Sequence, residues 1–577
     1  MENLIIVVLG VVLIVAVTGL GRRINIAAPL VLVAIGLVLA ATPFIPDIPE
    51  IDPEWILVGI LPPLLYSSAV NLPAVEFRRD FTPIAGLSVL LVVLSSLILG
   101  LFFTWAIPDL PFPVGVALGA ILSPTDAVAT GIVKRMGISP RVVTMLEGES
   151  LLNDATALVL LRTATIAIAG AFSWGLTIGT FAWGVLLALI IGSIVGWLNL
   201  RVRVWIGNSA ANTALSFAVP FIAYIPTEEL GGSGLVAAVV AGIVTGQGAA
   251  RWFTPEQRLS DTLNWRTIEL ILEGGVFLVM GLELTDVVTR NLAEHDGLWH
   301  GTWLALSALG IVLVVRAIYV TAVIWGQGRR ARRFTHEDIH RMGERLDAVE
   351  RGDVPVRGRG DPAHTIRRVA GIRQRLSRMA ADLDYYRESP LGWKHGTLIV
   401  WAGMRGVVTL AAAQTLPTDT QHRPLLIFVA FLVAIISLLL QGLTLPAVVR
   451  LLRFRTEDRD DEGDGTDEGD RVQDELREAA AAALREPGLT RRNGAPFDTV
   501  LVRHAGARLT EPPDADAGVG ALQMLELRVM MIEVMRRRLV DLTATGRYST
   551  ATLRRTLAQL DADQLSLELK IAGDTDE

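Results

Sequence analysis

The sequence predicts an all-α polytopic membrane protein with about thirteen transmembrane helices and a soluble C-terminal tail. Of its 577 residues, 51% are hydrophobic and only 19% are charged. The hydrophobic residues form runs close to the length of about 20 residues that a helix needs to cross a bilayer, and charged or turn-forming residues separate these runs. The spans are predicted at 3–20, 26–44, 54–74, 82–106, 112–133, 143–170, 176–200, 210–227, 231–250, 263–286, 302–326, 394–416 and 424–450.

The composition excludes several classes of enzyme. The chain contains no Cys, which rules out disulfides, thiol nucleophiles and Cys-ligated metals. Its 8 His residues show no metal-ligand spacing such as HExxH, and there is no phosphate-binding P-loop motif. We therefore expect no enzymatic activity, no cofactor, no nucleic-acid partner and no ATP-driven transport by this chain alone.

Basic and acidic residues alternate between the predicted loops. Positive charge stays on the cytoplasmic side of a membrane, so the basic loops are assigned to the cytoplasm. An odd number of spans then places the N-terminus outside and the C-terminus in the cytoplasm, for a multi-pass protein of the plasma membrane. The basic loops carry Arg22 and Arg23, Arg78 and Arg79, Lys134 and Arg135, Arg201 and Arg203, Arg251 and Arg258, and Arg329 to Arg333, whereas the acidic loops carry Asp47, Asp109, Glu228 and Glu229, and Glu294 to Asp296.

The pattern divides the chain into a transmembrane domain at 1–453 and a cytosolic tail at 454–577. The transmembrane domain includes an Arg-rich cytoplasmic loop at 327–393, in which 337–350 and 365–386 are predicted to be amphipathic helices. Basic helices beside a membrane can contact anionic lipid, but an ordinary solvated loop is equally consistent with this composition.

Two features stand out in the tail. The acidic stretch 457–470 is predicted to be disordered. The segment 522–542 has helical periodicity, and a helical hairpin with 549–569 is expected. This composition favours a packing or regulatory module over a catalytic domain.

Two carboxylates inside predicted spans carry the strongest functional signal. Asp126 follows Ser123-Pro124-Thr125, and Asp154 follows Glu149-Ser150-Leu151-Leu152-Asn153. A charge at membrane depth costs roughly 2.5–3.5 kcal/mol on insertion scales, and such residues mark ion or proton pathways by default. We therefore predict that Asp126 and Asp154 are ion ligands and proton carriers.

Two predicted spans are interrupted. Pro124 breaks the fifth span because proline has no amide donor and clashes with the preceding helical turn. In the twelfth span, Gly403-Met404-Arg405-Gly406 interrupts an apolar run. Broken helices near the midplane expose helix ends toward a binding site and are typical of secondary transporters with inverted repeats. The two breaks occupy equivalent positions if spans eleven to thirteen are an inverted repeat of spans four to six.

The residues beside the breaks can supply a cation site. A small, hard cation needs several oxygen ligands, which Asp126, Asp154, the Ser150 hydroxyl and the Thr125 hydroxyl or carbonyl can provide together with water. Burial and a neighbouring carboxylate both raise the pKa of a carboxyl group, so protons can compete with the cation near neutral pH. Competition at one site is sufficient for obligatory exchange.

Two arginines within spans need partners. Arg316 lies in the middle of the eleventh span, where an unpaired guanidinium is expensive, and Glu149 is its best-placed partner. We interpret this pair as part of the scaffold. Arg405 is expected either to neutralise helix C-terminal dipoles where the broken spans cross or to pair with a carboxylate.

At these residues the chain resembles the NhaP/NHE-type branch of the cation–proton antiporters. The segments 123–128, 147–155 and 403–406 match three motifs of that family, and Arg316 matches its core arginine. The middle motif is long and specific, whereas Gly-x-Arg-Gly alone would be weak. The resemblance extends over roughly the first 450 residues.

The resemblance implies an antiporter fold with two discontinuous crossing helices, a homodimer in the lipid bilayer, and spans four to six and eleven to thirteen as the moving core. It implies that Asp126, Asp154, Thr125 and Ser150 are the ion-site residues. Asn153, Glu149 and Arg316 would form a supporting network. The Asn153–Asp154 pair, in place of two aspartates, resembles the electroneutral branch of the family.

The sequence departs from the family pattern at one position, and two alternative functions stay open. The stretch 61–69 resembles a family motif that often carries an acidic residue where Ser67 stands. The leading hypothesis is Na⁺/H⁺ exchange serving pH homeostasis, with Li⁺ or K⁺ as possible substitutes. A K⁺/H⁺ antiporter is the first alternative, and a membrane regulator that senses ions or pH through its tail is the second.

Overall fold

The computed structural model describes most of the transmembrane region and the tail helices. The described residues are 2–24, 27–42, 54–168, 174–206, 208–293, 298–331, 385–386, 391–454, 462–485, 489–491, 495–502 and 518–573. Within these ranges the chain is helical and contains no strand beyond one isolated bridge. This confirms the all-α prediction.

Each predicted span contains a helix, and the fifth and twelfth contain two. The helices are α1 (Glu2–Ile24), α2 (Ala28–Ala40), α3 (Trp55–Val70), α4 (Ala74–Arg79), α5 (Phe81–Ala106), α6 (Phe112–Ile121), α7 (Val128–Arg135), α8 (Pro140–Ile168), α9 (Trp174–Trp205), α10 (Ser209–Glu229), α11 (Gly234–Trp252), α12 (Pro255–Leu282), α13 (Leu284–Ala293), α14 (Leu298–Ala331), α15 (Trp393–Trp401), α16 (Val407–Gln414), α17 (Arg423–Leu452), α18 (Glu462–Leu484), α19 (Gly518–Thr545) and α20 (Thr550–Gly573).

Six stretches among these helices are long and apolar enough to cross a membrane by length and composition alone. They are Phe81–Ala106, Pro140–Ile168, Ala182–Trp205, Gly234–Trp252, Leu298–Gln327 and Arg423–Leu452. Shorter apolar helices occur at Ile5–Gly21, Ala28–Ala40, Trp55–Val70 and Phe112–Ile121. The chain is therefore a multi-pass membrane protein, while the number of thirteen spans stays a prediction.

Both predicted interruptions are present, and they cross each other. The chain leaves helical geometry between α6 and α7 and again between α15 and α16. The Asp126 backbone N–H donates to the Met404 carbonyl oxygen at 2.8 Å. Backbone N–H and C=O groups freed by a broken helix cannot be left unpaired in a bilayer. Here the two crossing segments provide hydrogen-bond partners for each other.

The membrane helices pack in two groups. The panel consists of α1, α2, α3, α9, α10, α11 and α12, which contact mainly one another. The core consists of α5, α6, α7, α8, α14, α15, α16 and α17, and therefore contains both broken helices. These core helices are spans four to six and eleven to thirteen of the sequence analysis. Few contacts join the two groups, so a cavity separates them over part of their length.

The tail contains the expected hairpin, in which α19 packs against α20. The predicted disorder of 457–470 is wrong for 462–470, because α18 begins at Glu462. Val472 and Leu476 of α18 are buried against the hairpin, and this packing stabilises a helix that its acidic composition alone would not. The rest of that stretch and the two predicted loop helices, apart from Tyr385 and Tyr386, lie outside the described residues.

Within the panel, α2 and α12 approach so closely that their backbones touch at Gly36 and Gly281. A Cβ atom added at Gly281 would lie 2.5 Å from the Val33 carbonyl oxygen and 2.8 Å from the Gly36 Cα atom. Small residues commonly permit such close packing between membrane helices.

We expect Gly281→Ala to lower the stability of the protein by about 1–3 kcal/mol, because the added methyl group overpacks this contact. Gly275→Ala on the same helix is the matched control, since a Cβ atom there meets nothing within 4 Å. Thermal unfolding in detergent, followed by tryptophan fluorescence, measures both variants. Equal melting temperatures for the two would contradict the close packing.

Candidate functional site

Asp126 lies in the break of the fifth span and is fixed on two sides. One of its carboxylate oxygens, Oδ1, accepts the Val128 N–H at 2.8 Å, which places the carboxylate at the N-terminus of α7. A helix N-terminus favours a negative charge. Across the crossing, Gly406 approaches so closely that any Cβ atom there would collide with the Asp126 carboxylate. Only glycine fits at this point of the twelfth span.

Asp154 lies on α8, and one of its carboxylate oxygens has no hydrogen-bond donor within the described part of the chain. Its side chain is 6% exposed, and its Oδ1 atom has no hydrogen-bond partner among the described residues. Asp126 and Asp154 line the same cavity. A buried carboxylate oxygen that has no donor is available to bind a cation or a proton.

Ser150 and Asn153 connect α8 to the break. The Ser150 hydroxyl donates to the Thr125 carbonyl oxygen at 2.8 Å. The Asn153 Nδ2 group donates to the Thr125 hydroxyl oxygen at 2.6 Å. The structure therefore brings together all four predicted ion-site residues and Asn153, and Thr125 is the residue through which the two elements are joined.

Glu149 and Arg316 form a buried ion pair, with both side chains 2% exposed. Arg316 Nη2 donates to Glu149 Oε2 at 2.8 Å, and Nη1 donates to the other carboxylate oxygen. Arg316 Nε and Nη2 also donate to the Ile399 carbonyl oxygen, at 3.1 and 2.9 Å. The guanidinium group thereby joins α8, α14 and the last turns of α15.

Arg405 forms hydrogen bonds at the point where the two broken helices cross. Its Nε atom donates to the Leu122 carbonyl oxygen at 3.0 Å, directly after the end of α6, and its Nη1 atom donates to the Gly403 carbonyl oxygen. Its backbone N–H donates to the Ser437 hydroxyl at 2.9 Å. Of the two expected roles, this geometry matches the neutralisation of helix C-terminal carbonyls.

The cavity has a volume of about 1720 Å³ and lies between core and panel. Its core wall includes Thr125, Asp126, Ser150 and Asp154, and its panel wall includes Ser67, Trp265, Glu269 and Glu273. It extends to the tail, where Leu553, Arg554 and Leu557 of α20 line it. The arrangement places two carboxylates deep in an apolar protein on the wall of one cavity.

Sequence reasoning missed Glu269 and Glu273. Both lie in the predicted span 263–286, four residues apart, and their spacing was the available signal. The Ser67 hydroxyl donates to Glu269 Oε1. One sequence does not show which face of this helix meets a cavity, so the two acids could not be assigned in advance.

Comparison with known proteins identifies the family. The family model described as "Sodium/hydrogen exchanger, transmembrane" matches residues 9–356 and 366–451. The chain belongs to the sodium/hydrogen exchanger family. This membership confirms the resemblance seen in the motifs and makes the protein a transporter of the cation–proton antiporter class.

Relatives and a solved structure agree with this assignment. The chain is 29% identical over 461 residues to the uncharacterized Na⁺/H⁺ exchanger Rv2287 of Mycobacterium tuberculosis, covering 78% of this chain and 75% of the relative. It is 30% identical over 305 residues to the sodium, potassium, lithium and rubidium/H⁺ antiporter of Bacillus subtilis, covering 50% and 44%. The sodium proton antiporter MjNhaP1 of Methanocaldococcus jannaschii shares the fold, with a TM-score of 0.55 and 17% identity over 79% of this chain and 100% of that chain.

We expect Arg316→Ala to destabilise the exchanger by roughly 3–5 kcal/mol, since it leaves the Glu149 charge buried without its partner. Adding Glu149→Gln should recover part of this loss because it removes the stranded charge. Thermal unfolding of both single variants and the double variant gives the coupling energy.

The exposed pair Arg162–Glu228 is the matched control, with side chains 54% and 36% exposed. Exposed ion pairs contribute about 0–1 kcal/mol, so Arg162→Ala should change stability little. Additive effects of Arg316→Ala and Glu149→Gln would show that the buried pair does not act as a unit.

Proposed function

We propose that this exchanger carries Na⁺ in exchange for H⁺ by alternating access, with Li⁺ and K⁺ as further substrates, and that cation and proton compete for Asp126 and Asp154. The observation that carries the proposal is the unpartnered oxygen of Asp154, a buried residue that lines the same cavity as Asp126. A monovalent cation and a proton each neutralise one carboxylate there. The site is thus occupied by one or the other.

The polar groups around the carboxylates support this reading. The Ser150–Thr125 and Asn153–Thr125 hydrogen bonds hold oxygen atoms near both aspartates without adding a charge. The chain has the Asn153–Asp154 pair in place of two aspartates, which resembles the electroneutral branch of the family. On this resemblance we propose electroneutral exchange.

The division into core and panel suggests how the site changes sides. Both aspartates, both helix breaks and the Glu149–Arg316 pair belong to the core, which can move as a unit against the panel. Because Arg405 and Asp126 connect the crossing segments directly, the two broken helices would move together. Such rocking of one bundle against another around a fixed site is a common form of alternating access.

The positive-inside pattern supports a plasma-membrane topology with the N-terminus outside and the C-terminus in the cytoplasm. The cavity would then open toward the cytoplasm, because it extends to the tail. By family resemblance we propose a homodimer in the bilayer. The Bacillus subtilis relative, whose name includes potassium, lithium and rubidium, keeps K⁺/H⁺ exchange as a second candidate.

We expect Asp154→Asn to abolish exchange while expression and folding stay nearly normal, because losing one buried carboxylate does not hinder insertion but removes both the cation ligand and the proton site. Asp126→Asn should be similarly impaired. The measurement is cation-driven proton flux in proteoliposomes containing only this protein, under separate Na⁺, K⁺ and Li⁺ gradients.

Asp286→Asn is the matched control, since Asp286 is an exposed carboxylate on α13 paired with Arg290. Wild-type flux in Asp154→Asn would refute the site assignment. Flux absent from the wild type under all three gradients would refute antiport and favour the sensor alternative.

We further propose that the tail regulates the exchanger from the cytoplasmic face. The Glu76 carboxylate accepts the Thr550 backbone N–H at 2.7 Å and also the Thr550 hydroxyl, and so caps α20. Arg554 Nη1 donates to the Asn71 carbonyl oxygen at 2.6 Å. These contacts hold α20 across the end of the cavity, where it can favour one conformation of the exchanger over the other.

Deletion of 456–577 should leave an active exchanger with a shifted pH or cation response, because all ion-site candidates precede the tail. In the full chain, Arg554→Ala should shift the response in the same direction, and Arg555→Ala, an exposed arginine next to it on the same helix, is its control. The pH profile of exchange in matched liposomes measures all four proteins. Superimposable profiles would remove the regulatory proposal.

A further inference from the structure

Core and panel are hydrogen-bonded to each other at the end of the membrane domain opposite the tail. Helix α12 begins beside the tail, where Arg258 binds Asp561, and Glu283 directly follows its last residue. At a rise of about 1.5 Å per residue, Glu283 lies about 38 Å further along the helix than Arg258. Among the described residues that line the large cavity, neither Glu283 nor Gln414 occurs. This outer end is the extracellular side in the proposed topology.

The first contact at the outer end joins α12 of the panel to α16 of the core. Gln414 Nε2 donates to Glu283 Oε2 at 2.7 Å, and both side chains are half-buried. Gln414 is the last residue of α16, which begins directly after Gly406 at the crossing beside Asp126. A hydrogen bond to a carboxylate is stronger than one between neutral groups. The moving half of the twelfth span is therefore tied to the panel.

Each partner of this bond is fixed within its own group of helices. Arg423 Nη2 donates to the Gln414 carbonyl oxygen at 2.7 Å, and its Nε atom donates to the Leu416 carbonyl oxygen at 2.9 Å. A cation is favourable at the C-terminus of a helix, so Arg423 stabilises the end of α16. On the panel, the backbone contact of Gly281 with α2 fixes the end of α12 two residues before Glu283. The bond therefore depends on how core and panel are placed relative to each other.

A second contact at the outer end joins α8 of the core to the panel. Arg162 Nη1 donates to Glu228 Oε2 at 3.3 Å and to the Gly232 carbonyl oxygen at 3.4 Å. The other Glu228 oxygen accepts the Gly234 N–H at 2.8 Å, which holds Glu228 at the start of α11. Arg162 follows Asp154 by eight residues in α8, so it lies about 12 Å beyond the ion site.

We propose that the Gln414–Glu283 and Arg162–Glu228 contacts form an outer latch, which closes the extracellular side while the cavity is open beside the tail. The latch rests on the proposed alternating access. Its partners belong to opposite groups of helices, so both contacts break when the core moves against the panel. Because they exist in one conformation and not in the other, they set the relative populations of the two conformations.

The first test measures opening of the outer end with a single introduced thiol, since the chain contains no Cys. Leu235 of α11 is 5% exposed and belongs to an apolar cluster that joins core and panel. A membrane-impermeant maleimide added outside intact cells should label Leu235→Cys slowly. Adding Glu283→Ala or Gln414→Ala should raise the labelling rate about fivefold, because a hydrogen bond to a charged group shifts an equilibrium by about tenfold or more. Gln421→Ala, an exposed glutamine at the same end of the core, is the matched control.

Exchanging donor and acceptor separates the loss of the bond from other effects of substitution. Gln414→Glu alone brings two carboxylates together, so it should raise the labelling rate as Gln414→Ala does. Adding Glu283→Gln supplies a donor and an acceptor again and should return the rate to within about twofold of its starting value. Unchanged labelling in Glu283→Ala and Gln414→Ala would overturn the latch, and so would a failure of Glu283→Gln to reverse Gln414→Glu. Arg162→Ala should raise the rate less, because its pair is exposed.

A covalent link tests whether the outer end must open during transport. Glu283→Cys combined with Gln414→Cys, joined by a short bifunctional methanethiosulfonate, should lose exchange in proteoliposomes, and a reductant should restore it. The two single-cysteine variants, treated in the same way, are the controls. Full exchange by the linked protein would overturn the latch. Thiol labelling measures the two conformations without transport, so absent exchange in the wild type would count against the proposed function, while the latch would still be decided by the labelling rates.

Discussion

The structure depends on the crossing of two broken helices. Each break frees backbone N–H and C=O groups in a region where water is not available to pair them. The Asp126 N–H satisfies the Met404 carbonyl, and the Arg405 guanidinium satisfies the carbonyls of Leu122 and Gly403. The Asp126–Met404 and Arg405–Leu122 bonds run between the breaks, so each segment helps to fix the irregular conformation of the other. The same irregular backbone places the Asp126 carboxylate at a helix N-terminus facing a cavity.

The remaining buried polar groups support this crossing. The Glu149–Arg316 pair joins three core helices and reaches the Ile399 carbonyl near the end of α15. A buried ion pair is weak evidence for net stability, since desolvation opposes its Coulomb attraction. Its consequence here is geometric, because it fixes α8, and therefore Ser150, Asn153 and Asp154, relative to the break. The core can then move as one body while the ion ligands keep their mutual positions.

Much of this architecture was predictable from the sequence because the bilayer imposes strict rules on it. Apolar run lengths located a helix in every predicted span, Pro124 and the Gly403–Gly406 segment located the breaks, and the expense of an unpaired Arg316 pointed to Glu149. Other features depend on tertiary packing that one sequence does not show. Glu269 and Glu273 became recognisable only when α12 was seen to face the cavity, and the acidic start of α18 is helical because the residues that follow it pack on the tail hairpin.

The central claim is that one cation and one proton compete for the same carboxylate site. Titration calorimetry of the purified exchanger with Na⁺, in buffers of different ionisation enthalpy, measures how many protons are released for each cation bound. The account predicts release of about one proton per Na⁺ at a pH well below the midpoint of proton binding and about half a proton at the midpoint, with no Na⁺-dependent release in Asp154→Asn. Saturable Na⁺ binding to the wild type without proton release would contradict it.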